Sequence, residues 1–184
     1  MNHQMKITEV YKNYTSSVST KGMAASLELC LYVFNLCEKN QYKNIIDCGS
    51  GITSYVLRYY QSINNDVVVY SVDDHDIWLQ KSKDFVESYD LNVNHFIHGM
   101  ENITDITFDL VIHDYGRMPA RQKMLEYVLN VLSAPGTDVI LDDCHKPGYY
   151  NFAKSVLNSK KLNFNKIEET VDGLGRFSVL TRIT

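Results

Sequence analysis

The sequence predicts an α/β protein with a seven-stranded, mostly parallel sheet, helices on both faces and an antiparallel β-hairpin at the C-terminal end. Short apolar runs alternate with segments of helical spacing, which is typical of a parallel sheet covered on both faces. The last two runs, near 163–169 and 176–183, are joined only by a turn at Asp172-Gly173-Leu174-Gly175, which predicts a hairpin. The chain has 184 residues, of which 45% are hydrophobic, and this suits a single domain over 1–184.

The elements follow one another regularly. Residues 1–21 are polar and form a lead-in that could act as a lid. Apolar residues between Met23 and Cys37 recur at helical spacing and predict an amphipathic helix over 22–39. Buried strands are predicted at Asn44–Cys48, Val67–Val72, Val93–Ile97, Phe108–His113 and Asp138–Leu141. Helices are predicted over 52–61 and 76–89, and from Pro119 and Pro147 onward.

Composition and charge exclude several classes of protein. Eighteen Lys and Arg against 22 Asp and Glu give a net charge of -4, which argues against nucleic-acid binding through a basic surface. Apolar runs are too short for a membrane span, and the first residues lack a secretory core. The four cysteines form no C-x-x-C pair, so we expect reduced core cysteines in a cytoplasmic protein.

A glycine loop follows the first predicted strand, in Asp47-Cys48-Gly49-Ser50-Gly51. Glycines allow a tight turn and a close approach of the backbone to a ligand at the next helix N-terminus. Asp47 would repel a pyrophosphate and would suit a cationic amino group. A simple strand-to-helix turn is the alternative interpretation.

Acidic residues follow the second strand. Asp73 stands 22 residues beyond Gly51, where a carboxylate can accept both hydroxyls of a ribose. The alternative is a helix cap by Asp74 or Asp76, and both interpretations can hold on different aspartates.

With these motifs the chain resembles the class I S-adenosylmethionine-dependent methyltransferases. The resemblance rests on the glycine loop, on Tyr70-Ser71-Val72-Asp73, on Phe108–Asp114 and on Met23-Ala24-Ala25 ahead of a helix, and it covers about residues 15–184. It implies a Rossmann-like fold and S-adenosyl-L-methionine as cofactor.

The resemblance also implies roles for individual residues. Asp47 would lie near the methionine amino group, and Gly49, Ser50 and Gly51 would line the methionine moiety. Asp73, with Asp74 beside it, would bind the ribose. The turn with Gly99 and Met100 would flank the adenine. Asp114 would lie at the reacting centre.

Three carboxylates suggest a metal. Asp114 ends the fourth strand and Asp142-Asp143 ends the fifth, so the three would converge and could bind Mg²⁺. This arrangement resembles the catechol O-methyltransferase type. However, Arg117 stands where that type has a lysine base, and Asp143 replaces its usual asparagine. Alternatively, one carboxylate orients a substrate or caps the helix after Pro147, without a metal.

The remaining expectations concern chemistry. Asp114 and His145 are the predicted catalytic residues, whereas His113, inside an apolar strand, is expected to be a core residue. We expect methylation of an oxygen on a small-molecule acceptor, with no nucleic-acid or membrane partner; a protein acceptor and a homodimer stay open. A protein that binds this cofactor without methyl transfer, or another reaction on it, is the alternative function.

Overall fold

A seven-stranded sheet forms the centre of the computed structural model, which describes residues 2–184. The strands are β1 (Asn44–Cys48), β2 (Val68–Asp73), β3 (Phe96–His98), β4 (Phe108–His113), β5 (Ser133–Leu141), β6 (Phe164–Lys166) and β7 (Val179–Arg182). Their order across the sheet is β3-β2-β1-β4-β5-β7-β6. The first five run parallel, and β7 pairs antiparallel with both β5 and β6. The predicted fold class and the C-terminal hairpin are confirmed.

Helices cover both faces of the sheet. They are α1 (His3–Ser17), α2 (Leu27–Asn40), α3 (Ile52–Ile63), α4 (Asp76–Glu87), α5 (Met118–Tyr127) and α6 (Pro147–Ser159). Successive strand residues point to opposite faces, so Ile45 packs into the core under α1–α4, whereas Ile46 packs into the core under α5 and α6. Burial on both faces explains why these strands read as nearly continuous apolar runs.

The N-terminal third agrees with a partly helical lead-in and differs from the prediction at the start of the second helix. The polar lead-in is largely one helix, α1, which buries Ile7, Val10, Tyr11 and Tyr14 against the core. The next helix, predicted from residue 22, begins only at Leu27, because the Ser26 side chain accepts a hydrogen bond from the Leu29 amide and caps it. Residues 22–25 are therefore free to line a cavity.

Two smaller details also differ. The third strand lies at Phe96–His98 instead of Val93–Ile97. The cap of α4 is His75, whose Nδ1 accepts from the Trp78 amide at 3.3 Å, and neither Asp74 nor Asp76 caps this helix.

The cysteine prediction is confirmed within residues 2–184, where all four cysteines are buried and none forms a disulfide. Over the same residues, no helix combines the length and the apolar composition that a membrane crossing needs.

Candidate functional site

A cleft of about 770 Å³ opens at the carboxyl ends of β1, β2 and β4. Strand order reverses between β1 and β4, and open α/β sheets bind ligands at such a switch point. The glycine loop (49–51) and the end of β2 (73–75) form one wall. Tyr14, Trp78 and the start of α5 form the others.

Gly49 allows this cleft to exist. Its φ is +107°, and a Cβ there would overlap the carbonyl of Asp114, with 2.6 Å to the carbonyl carbon. The backbones of β1 and β4 therefore approach each other as only glycine permits. Gly51, two residues further along the chain, precedes α3, whose N-terminus faces the cleft.

Asp73 holds the glycine loop against the end of β2. One carboxylate oxygen accepts from the Ser50 amide at 2.8 Å and from the Ser50 hydroxyl at 2.9 Å, and the other accepts from the His75 amide at 3.0 Å. The Trp78 indole donates to the Ser50 carbonyl at 2.7 Å. Burial raises the pKa of Asp73 above its usual range. The three hydrogen bonds to its carboxylate leave one unused lone pair, on Oδ1, at the cleft wall.

Asp47 does not face the cleft. It is fully buried, and its carboxylate accepts hydrogen bonds from the Thr53 hydroxyl at 2.9 Å and the Ser54 hydroxyl at 2.6 Å. Burial raises its pKa to about 7. The prediction that Asp47 contacts a ligand amino group is therefore corrected. Asp47 instead binds the first turn of α3 to β1 beneath the cleft.

Gly99 and Met100 also lie outside the cleft wall, in contrast to the expected adenine contact. Both are buried; the Glu101 side chain covers Gly99, and the Met100 amide donates to the Tyr115 hydroxyl at 3.3 Å. Asp74, which was expected to lie beside the ribose, lines the cleft together with His75, Gly116 and Arg117.

A second, smaller cavity of about 230 Å³ adjoins the cleft beyond the ends of β4 and β5. The two share the walls formed by 23–25, Asp114 and Arg121. The smaller cavity is further lined by Asp142, Asp143 and Lys146, and on its far side by Arg176 and Phe177. A molecule in either space would thus lie next to one in the other.

Arg121 binds two of the three carboxylates that were expected to hold a metal. Its guanidinium forms ion pairs with Asp114 Oδ1 and, at 2.6 Å, with Asp143 Oδ2. It also donates to the backbone carbonyls of Asp114 and Gly116 at 2.9 and 3.1 Å. Burial alone would lower the pKa of Arg121, but Asp114 and Asp143 raise it above its usual value, so the residue stays charged.

The two neighbouring aspartates have opposite environments. Burial would raise the pKa of Asp143, but Lys146 at 2.6 Å and Arg121 lower it below its usual range. Asp142 lacks such partners; its carboxylate accepts the Ser178 hydroxyl at 2.8 Å, and burial together with the charge of Asp143 raises its pKa. Within one cavity, the pair therefore contains a fixed anion and a carboxylate that takes up a proton more readily.

The histidines are placed differently from one another. His113 is fully buried, its Nε2–H donates to the Arg121 carbonyl at 2.9 Å, and burial lowers its pKa to about 4, which confirms a core residue. His145 Nδ1 lies 3.7 Å from Asp143 Oδ1, and His145 does not line either cavity. A catalytic role for His145 is not supported by this position.

The expected Mg²⁺ ligands do not fit a metal. Asp114 and Asp143 direct oxygens at Arg121, Asp143 also binds Lys146, and Asp142 accepts from Ser178. Within residues 2–184, no three His, Cys, Asp or Glu side chains are grouped as a metal site requires. The carboxylates converge as predicted, but cationic side chains satisfy two of them.

Two contributors to the site, Trp78 and Arg121, were not predicted as site residues. Tyr14 belongs to the lead-in that was expected to act as a lid, and the helical spacing of Ile7, Val10, Tyr11 and Tyr14 indicates the buried face of that segment. Arg121 lies one helical turn after Arg117, but Arg117 precedes α5 and is exposed, whereas Arg121 faces inward.

Comparisons with known proteins identify solved structures that share this fold. No protein-family model and no curated protein matches the sequence. Among solved structures, an O-methyltransferase from Bacillus cereus in complex with SAH covers 100% of this chain and 91% of its own, with a TM-score of 0.74 and 15% identity. An O-methyltransferase from Streptomyces achromogenes involved in tomaymycin synthesis, in complex with SAM, has a TM-score of 0.70, 16% identity and coverage of 100% and 90%. An SAH-bound methyltransferase from Podospora anserina has a TM-score of 0.70, 10% identity and coverage of 100% and 89%. The chain shares their fold, which confirms the predicted Rossmann-like architecture.

Proposed function

We propose that this protein is an S-adenosyl-L-methionine-dependent methyltransferase that methylates an oxygen of a small-molecule acceptor. One observation carries the proposal: a cleft against the glycine loop and a smaller polar cavity meet at Asp114 and Arg121. Methyl transfer needs neighbouring donor and acceptor spaces, because the acceptor atom must approach the methyl carbon in line with the carbon–sulfur bond. The shared fold with SAM- and SAH-bound methyltransferases supports the choice of cofactor.

The cleft residues fit this cofactor. The backbone at Gly49, Ser50 and Gly51 would approach the methionine moiety, and the free lone pair on Asp73 Oδ1 would accept a ribose hydroxyl. Asp74, at the other side of the β2 end, would lie beside the ribose and adenine. When bound, the cofactor supplies a methyl group activated by a sulfonium.

Asp142 is the residue best placed to receive the acceptor proton. Arg121 and Lys146 hold the other two carboxylates, whereas Asp142 faces the smaller cavity with one hydroxyl partner. As the acceptor oxygen took the methyl group and the carbon–sulfur electron pair stayed on sulfur, Asp142 would receive the acceptor proton. The raised pKa makes Asp142 a stronger base than an ordinary aspartate.

The smaller cavity favours a small acceptor over a polymer. It is bounded on one side by 22–26 and on another by Thr170 and 176–178. The net charge of -4 argues against a basic binding surface, so nucleic acid is not the proposed partner.

Formation of S-adenosylhomocysteine, measured with a panel of small hydroxyl compounds, tests the proposal. With an accepted compound, Asp142→Asn should lower kcat by about 10²- to 10⁴-fold, the usual contribution of a general base. Asp109→Asn is the matched control, since Asp109 Oδ2 accepts from the Lys43 and Asn44 amides at the opposite end of the sheet. Equal rates for wild type and Asp142→Asn would contradict the role of Asp142.

A further inference from the structure

We propose that Arg121 is a built-in cation that takes the place of a divalent metal, so that this site binds its acceptor without one. The inference deepens the proposed function, but its evidence lies in side-chain contacts that do not depend on cofactor binding.

The contacts of Arg121 resemble those of a bridging ion. One guanidinium contacts a carboxylate at the end of β4, Asp114, and a carboxylate after β5, Asp143. The same group donates hydrogen bonds to two backbone carbonyls, those of Asp114 and Gly116. Oxygens from two adjacent strand ends are thereby held together, which is what a metal ion does in an all-oxygen site.

The position of Arg121 is fixed from several sides. Only 6% of its side chain is exposed, and the guanidinium lies 5.9 Å from the centre of the Tyr149 ring. Its backbone carbonyl accepts the Nε2–H of the buried His113, which anchors the start of α5 to β4. A side chain held in this way cannot swing aside easily to admit an ion, because its donors would lose their partners in a buried place.

The charge balance of the site also opposes a metal. Arg121 and Lys146 already place two positive charges against the carboxylates of Asp114 and Asp143. A divalent ion bound to these carboxylates would lie beside the guanidinium. Like charges at such distances repel strongly in a partly buried site.

Direct measurement of Mn²⁺ binding tests the inference, because Mn²⁺ suits carboxylate ligands and has an electron paramagnetic resonance signal. Wild type should bind no Mn²⁺ at this site. Arg121→Met removes the guanidinium from Asp114 and Asp143, leaving Lys146 on Asp143 alone, and should increase Mn²⁺ affinity by about tenfold or more. Arg176→Met removes the same charge from the wall of the same cavity, but Arg176 is paired with Asp172, so this control should bind no Mn²⁺.

Two results would overturn the inference. One is stoichiometric Mn²⁺ binding to wild type that Asp142→Asn or Asp143→Asn abolishes. The other is a folded Arg121→Met variant with no gain in Mn²⁺ affinity. If Arg121→Met does not fold, the wild-type titration still decides the question, and Arg121→Lys, which keeps the charge, should bind no Mn²⁺.

The outcome is independent of the proposed function. Binding of S-adenosylhomocysteine, followed by calorimetry on the same samples, reports on the cofactor cleft alone. Absent cofactor binding together with the predicted Mn²⁺ results would contradict the methyltransferase proposal and leave the role of Arg121 intact. Methyl transfer that EDTA abolishes and Mn²⁺ restores would contradict the role of Arg121 and leave the methyltransferase proposal intact.

Discussion

Replacement of Gly49 by alanine should damage the protein more than an equally strained glycine replacement elsewhere. Gly49 has a φ of +107°, and an added Cβ would overlap the Asp114 carbonyl between β1 and β4. Gly136, in β5, has a φ of +98°, but a Cβ there would meet nothing within 4 Å. The two positions share the backbone strain and differ in the collision, so their comparison isolates the close approach of the strands.

The magnitudes follow from these two causes. A left-handed conformation costs an alanine about 1–2 kcal/mol, which applies to both variants. Overpacking against a backbone that cannot yield adds about 1–3 kcal/mol to Gly49→Ala alone. In a chain of this length, each kcal/mol lowers Tm by about 2–4 °C. We therefore expect Gly49→Ala to melt roughly 2–12 °C below Gly136→Ala.

Urea denaturation monitored by circular dichroism, with thermal melts in parallel, measures this difference. Gly49→Ala should also weaken binding of S-adenosylhomocysteine, because relief of the collision moves the glycine loop away from Asp114. Gly136→Ala should bind normally. Free energies of unfolding that agree within about 0.5 kcal/mol would refute the reasoning about strand approach.

Two further predictions concern single aspartates. Asp73→Ala should weaken S-adenosylhomocysteine binding about 10- to 100-fold, as expected for the loss of hydrogen bonds to a charged group. The control Asp109→Ala also removes an acceptor of two backbone amides and should leave the affinity unchanged; equal affinities of the two variants in calorimetry would exclude Asp73 as a ligand. Asp47 has a pKa of about 7 in the folded protein against 3.8 ordinarily, so the folded state keeps a proton that the unfolded chain releases between these values. Wild type should therefore lose stability relative to Asp47→Asn as pH rises from about 4 to about 7, and a relative stability that is flat or rises over that range in urea titrations would contradict this assignment.

The sheet could be predicted from the sequence because its strands are buried on both faces. The first strand, Asn44–Cys48, has the predicted bounds, since its apolar run ends at a glycine that the turn requires. The start of α2 was predicted too early, because the apolar residue Met23 fits the helical spacing although it is 77% exposed and precedes the Ser26 cap.

The chemistry of the site was predictable only in part. Convergence of Asp114 with Asp142 and Asp143 follows from the adjacency of β4 and β5, and the structure confirms it. The partner of these carboxylates could not be predicted, because one helical turn separates the exposed Arg117 from the buried Arg121 and the sequence does not show how α5 is rotated against the sheet.

Asp47 illustrates a different limit of sequence reasoning. A carboxylate before a glycine loop can face a ligand or can bind hydroxyls of the following helix. Here Thr53 and Ser54, in the first turn of α3, provide those hydroxyls and turn the carboxylate inward. Their positions six and seven residues after Asp47 were visible in the sequence. Whether the carboxylate binds these hydroxyls or a ligand is decided by packing, which the sequence does not show.

Calorimetric titration of the purified wild-type protein with S-adenosylhomocysteine is the decisive measurement for the proposed cofactor. We expect binding at one site with micromolar affinity, through the cleft formed by the glycine loop and Asp73. Absence of binding, in protein shown by circular dichroism to be folded, would contradict the proposed cofactor and with it the proposed methyl transfer.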